Sequence, residues 1–188
     1  MVIKDEPRSS VVLKEISNLF SDYCDTALLY FSGHGCYNGS DYYLAFPGDS
    51  KTGQDGLIDL KQILGIVINS PARQKIIILD SCFAGGMGVV YNNKEISALP
   101  ENLAILTACK SNEKSYCGDN YSKFTEILCH ALSGAAADYA GNITINSLYS
   151  YVEKFFGEKE QRPIFKINAT ESFIIKKVQF LFYLLFLN

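Results

Sequence analysis

Hydrophobic positions along the chain fall into three unbroken runs and four helically spaced sets. Ala27-Leu28-Leu29-Tyr30-Phe31, Ile76-Ile77-Ile78-Leu79 and Leu103-Ala104-Ile105-Leu106 contain no charged residue. Runs without polar alternation suit strands covered on both faces, as in a parallel sheet. Val12, Leu13, Ile16, Leu19, Phe20 and Tyr23 recur at helical spacing and predict an amphipathic helix over 10–23, capped by Ser9 or Ser10. Leu60, Ile63, Leu64 and Val67 predict a second helix that starts from a cap at Asp59. A third is expected after Ser122, with Phe124, Ile127, Leu128 and Leu132 inward, and a fourth after Thr144, with Ile145, Leu148, Val152 and Phe155 or Phe156 inward. Tyr42 to Phe46 reads as a small strand or hairpin arm, and Ile164–Ile167 and Ser172–Ile175 as last strands, with a hairpin as one arrangement. Strands alternating with helices predict an α/β domain, its mostly parallel sheet flanked by helices and joined by right-handed crossovers.

Composition narrows the class. A chain of 188 residues, 48% hydrophobic and 20% charged, is long and apolar enough for one domain with a real core. A net charge of −3 gives no electrostatic case for nucleic acid. The segment from Val178 to Leu187 is strongly apolar but shorter than the about 20 residues a membrane-spanning helix needs. It is read as a terminal core segment, dividing the chain into a domain over 1–177 and a tail over 178–188. Six cysteines without a secretory-type apolar start predict reduced thiols in a cytoplasmic protein. No CxxC spacing supports a structural zinc site, and no metal ligand set is assigned.

Two of the apolar runs end in glycine-rich turns that carry reactive side chains: Tyr30-Phe31-Ser32-Gly33-His34-Gly35 and Leu79-Asp80-Ser81-Cys82-Phe83-Ala84-Gly85-Gly86. A cysteine nucleophile needs an imidazole within hydrogen-bond reach, and ligands in open parallel sheets bind beyond the carboxyl ends of the strands. His34 and Cys82 both lie just past such ends. Alternation along a strand groups Ser32 with His34 and Asp80 with Cys82. If the strands are neighbours, these residues form one cluster: a base and a nucleophile, backed by a hydroxyl and a carboxylate. The stretch over 84–101, rich in glycine, reads as a long loop beside the cysteine.

These two blocks resemble the signatures of caspase-like cysteine peptidases, more closely those of metacaspases and bacterial caspase-like proteins. The histidine precedes the cysteine by about 50 residues, as in the caspase signature. The likeness continues in Leu106-Thr107-Ala108-Cys109, Ser122-Lys123-Phe124-Thr125 and Gln161-Arg162-Pro163, and spans roughly 2–176. The resemblance implies the three-layer caspase-like fold, Cys82 as nucleophile, His34 as general base and acid, and the backbone N–H groups of Gly35 and Cys82 as oxyanion hole. Caspases carry Gln-Ala-Cys at the nucleophile and cleave after aspartate; here the residues are Asp80-Ser81-Cys82. Metacaspases carry an acid at this position and cleave after Arg or Lys. A carboxylate there favours a cationic side chain through charge-assisted, often bidentate bonds. The expected function is therefore an endopeptidase acting on protein or peptide substrates after Arg or Lys, with Asp80 and Ser32 binding the basic side chain.

The resemblance carries three further expectations. Lys94, in the loop after the cysteine, is a candidate for self-cleavage. Calcium activates some metacaspases, but no calcium-loop spacing occurs in this sequence. The family fold usually begins with a central strand and helix ahead of the segment matching Val2-Ile3-Lys4, which implies an N-terminally truncated fold with an exposed sheet edge beside His34. That edge and the apolar tail motivate the rival reading, a weak or inactive caspase-like module with a regulatory or binding role. A redox or metal site built on Cys82 with Cys36 or Cys109 is disfavoured by the small number of ligands on offer.

Overall fold

The second of the three apolar runs forms the middle of the molecule. In a computed structural model, residues 7–46, 56–81, 91–92, 95–96, 99–108, 122–156 and 162–179 are described. Strand β5 (Gln74–Asp80) is buried at every position, as is β8 (Leu103–Thr107) beside it. Strand β1 (Thr26–Ser32) runs parallel to β5 on one side, β8 runs parallel to it on the other, and β10 (Ile164–Asn168) pairs antiparallel with β8. The order is β1-β5-β8-β10.

Alternation along β5 divides the core in two. Ile77 and Leu79 face a layer containing helices α1 (Ser9–Leu19) and α2 (Leu60–Ile68), with Val12, Ile16, Ile63 and Val67 buried against them. Ile76 and Ile78 face α3 (Lys123–His130) and α4 (Ile145–Phe156), with Phe124, Ile127, Leu148 and Val152. The result is the three-layer α/β arrangement expected from the sequence. Each such side chain, fully buried, contributes about 1.5–3 kcal/mol.

Helix boundaries follow local chemistry. Asp59 caps α2 as expected, its Oδ1 accepting from the Lys61 amide at 2.8 Å. Thr144 and Ser147 form a reciprocal capping box at α4, each side chain accepting from the other's backbone amide at 3.1 and 3.0 Å. Helix α1 departs from expectation. Its cap is Arg8, which offers no side-chain acceptor, and Ser9 and Ser10 lie inside the first turn. Its helical span ends before Tyr23, which is exposed. Helix α3 runs on through a wider, π-type turn over Ala131–Ala135, where Gly134 leaves helical geometry.

Two expectations about strands are corrected. Ile164–Asn168 and Ile174–Lys177 do not form a hairpin. The first joins the main sheet as β10; the second, β11, pairs with β9 (Asn142–Thr144) in a separate ribbon. Strand β1 is not covered on both faces throughout. Among the described residues it has β5 on one side only, and from Thr26 to Ser32 only Ala27 is buried, the other positions being half-buried or exposed. A smaller sheet follows it: β2 (His34–Tyr37), β3 (Tyr42–Ala45) and β4 (Leu57–Asp59), antiparallel throughout. Two short strands over residues 91–92 and 95–96, β6 and β7, also pair antiparallel. The segment Val2-Ile3-Lys4, Cys82, Lys94 and the tail beyond Gln179 lie outside the described residues. No helix among the described residues is long and apolar enough to cross a membrane.

The β9–β11 ribbon is closed at Gly141. This residue has φ +80°, and a Cβ built on it would lie 2.0 Å from the Val178 carbonyl oxygen. The Val178 amide donates to the Gly141 carbonyl at 2.7 Å, so the two backbones cannot separate without losing that bond. Gly141→Ala combines a left-handed backbone with a backbone clash and is expected to destabilise the domain by about 2–3 kcal/mol. A urea midpoint that falls at unchanged m-value checks it; an unchanged midpoint refutes it.

Candidate active site

The parallel register of β1 and β5 brings the two predicted strand ends together, with Ser32 opposite Asp80. The Gly33 amide then donates to the Asp80 carbonyl at 3.1 Å, extending the pairing one step past the strand. Beyond it the chain turns into β2, where His34 stands opposite Ala45 and Gly35 opposite Leu44. His34 therefore starts a hairpin strand and does not continue the alternation of β1, as the grouping of Ser32 with His34 supposed. Its side chain is exposed.

Packing holds this turn in place. The Phe31 ring meets Phe46 edge-on, with centroids 5.4 Å apart, tying β1 to the residue that follows β3. Gly33 lies beneath the same ring, and a Cβ there would approach the Phe31 Cζ to 2.8 Å. A side chain at the position before the histidine would therefore need the Phe31 ring to shift.

Asp80, at the end of β5, is only 3% exposed. Its Oδ2 accepts from Thr125 Oγ1 at 2.5 Å, from Ser122 Oγ in a closer contact, and from Ser32 Oγ at 3.5 Å, the limit of a hydrogen bond. Ser122 is the N-cap of α3 and its Oγ also accepts from the Thr125 amide at 3.0 Å. Tyr30, on the same face of β1 as Ser32, places its hydroxyl 2.6 Å from Thr125 Oγ1. Burial pushes the Tyr30 hydroxyl above its ordinary pKa, so it stays protonated at neutral pH. The amino end of α3, the positive end of its dipole, thus lies beside the Asp80 carboxylate.

Sequence reasoning placed Ser32 beside Asp80 but missed Ser122, Thr125 and Tyr30. Ser122 was legible as a helix cap, and the two hydroxyls stand three residues apart, hence on one helix face. What the pattern did not carry was where α3 would dock. Among the described residues, Cys24, Cys36 and Cys129 are free thiols, and no group of three or more His, Cys, Asp or Glu side chains converges as a metal site requires. None of them is assigned to calcium.

The caspase-domain family model matches residues 2–174, and the chain belongs to that family. Its structure is similar to that of caspase-1 from Spodoptera frugiperda, at 16% identity and TM-score 0.64, covering 95% of this chain and 75% of that one. It is also similar to a protein from Geobacter sulfurreducens, at 14% identity and TM-score 0.63, covering 87% and 74% respectively. At such identities the structural likeness establishes the fold. Comparison with curated proteins gives no match. The domain is thus of the cysteine-peptidase type, with proteins as its class of substrate.

Proposed function

We propose that the chain is a cysteine endopeptidase that cleaves after Arg or Lys. The observation that carries this reading is the nearly buried carboxylate of Asp80 at the carboxyl end of β5, paired in register with Ser32 and two residues before Cys82. A carboxylate next to the proposed nucleophile favours a cation, through charge-assisted hydrogen bonds that a neutral or acidic side chain does not make.

Cys82 attacks the scissile carbonyl as a thiolate, forming a carbon–sulfur bond. His34 takes the thiol proton and returns it to the leaving amine. The amides of Gly35 and Cys82 donate to the oxygen as it gains negative charge. Water, deprotonated by His34, then cleaves the thioester and frees the acid product. Asp80, with Ser32 at its side, fixes the basic side chain so that the carbonyl lies at the nucleophile.

Fluorogenic peptides that differ only in Arg, Lys or Asp before the reporter test the reading, with an arginyl covalent probe to count active sites. Turnover of the Arg and Lys peptides is expected, lost in Cys82→Ala. Preference for Asp overturns the specificity. Absence of both turnover and labelling favours the regulatory module.

A further inference from the structure

The hydroxyl groups around Asp80 have a definite direction. An ionised carboxylate only accepts hydrogen bonds, and each hydroxyl has one proton to give. Thr125 Oγ1 and Ser122 Oγ both contact Oδ2, so both give it their protons. Thr125 then has only its lone pairs left for Tyr30, whose hydroxyl must donate to it across 2.6 Å. Ser122 likewise uses its lone pair to accept the Thr125 amide. Every proton in the chain from Tyr30 through Thr125 to Asp80 therefore points toward the carboxylate.

We propose that Thr125 and Ser122 of α3, with Tyr30 behind Thr125, are positioning residues for basic-residue specificity: they hold the Asp80 carboxylate in one orientation and fix its plane. This rests on the reading of Asp80 as the acid that binds the substrate's Arg or Lys. The fixed plane matters more for Arg than for Lys. Guanidinium binds a carboxylate through two parallel bonds in one plane, whereas ammonium is a point charge that tolerates rotation. None of the three residues needs to touch the reacting atoms. Tyr30 and Ser32 come from β1, Asp80 from β5, and Ser122 and Thr125 from α3, so selectivity is coupled to the docking of that helix.

The test uses the full chain and paired Arg and Lys peptides. Thr125→Val keeps the shape of threonine and removes the hydroxyl. It is expected to lower kcat/KM on the Arg peptide by about 10- to 100-fold, mostly through KM, as expected for a lost hydrogen bond to a charged group. The Lys peptide should lose less, so that the Arg-to-Lys ratio falls. Thr125→Ser, which restores a hydroxyl, should recover the ratio; a purely structural role for the threonine methyl would not predict this. Ser122→Ala should act in the same direction. If Thr125→Val does not fold, Tyr30→Phe, at a partly exposed position, removes the outer donor and should shift the ratio by a smaller amount in the same sense. An unchanged ratio in the folded variants overturns the inference. Asp80→Asn separates the two levels. If Asp80→Asn loses the basic preference while the hydroxyl variants keep it, the positioning role fails and the pocket stands. If Asp80→Asn itself keeps the preference, the pocket reading fails.

Discussion

His34→Ala is expected to lower kcat by about 10²- to 10⁴-fold, the range for removal of a general acid–base, while leaving the fold intact. The structural half of this expectation follows from placement. His34 is exposed at the start of β2, and the turn before it is held by the Gly33–Asp80 backbone bond and the Phe31–Phe46 contact, which involve no imidazole atom. Thermal unfolding should therefore match the parent. The chemical half follows from what a thiol can do alone. Without a base to take its proton, a thiol reacts mainly above its ordinary pKa of about 8.5, so residual activity should rise as pH passes through that region. The parent, with an imidazole to take the proton, should already be active near neutrality. Steady-state rates across pH, with Cys82→Ala as the zero, make the comparison. Activity within a few-fold of the parent, or residual activity flat with pH, would remove His34 from the mechanism.

How much of this site the sequence disclosed depends on whether the information was local. The Ser32–Asp80 pair was legible because two unbroken apolar runs read as parallel neighbours, and register follows once they pair. The helices were legible for the same reason: the buried faces of α2 and α4 are the apolar sets read from spacing alone, although Phe156 and not Phe155 turns inward at the end of α4. The failures are non-local. Ile164–Asn168 and Ile174–Lys177 are both short apolar strands, and nothing in their residues says that one joins β8 and the other β9. Tyr30 reads as one more member of an apolar run, yet its hydroxyl reaches Thr125, 95 residues away. Ser122 announces a helix start, but its bond to Asp80 depends on α3 docking at the carboxyl ends of β1 and β5. The open positions of β1 were also hidden, because an edge strand and a central strand with the same apolar run differ only in their neighbours.

Asp80→Asn should reduce kcat/KM on an arginyl peptide by about 10²- to 10³-fold, the cost of removing one member of a buried, hydrogen-bonded charge pair. The choice of asparagine matters. Alanine would leave the Thr125 and Ser122 hydroxyls without the acceptor they now share, at about 1–3 kcal/mol of stability for each buried donor left unmade, and confuse unfolding with lost recognition. Asparagine keeps the volume and one carbonyl oxygen for those hydroxyls and removes only the charge. The contrast that isolates charge is a peptide with citrulline in place of arginine, which has nearly the same shape without the positive charge. The parent should prefer arginine strongly, because citrulline offers the Asp80 carboxylate no charge-assisted bond. The variant should lose this preference, since its neutral amide no longer pairs with the guanidinium charge. The loss should appear mainly in KM for the arginyl peptide, and turnover at saturation should remain within about tenfold, because the contact holds substrate away from the bond that breaks. An Asp80→Asn protein that still favours arginine over citrulline by the parent's margin would move the recognition of the basic side chain to another residue.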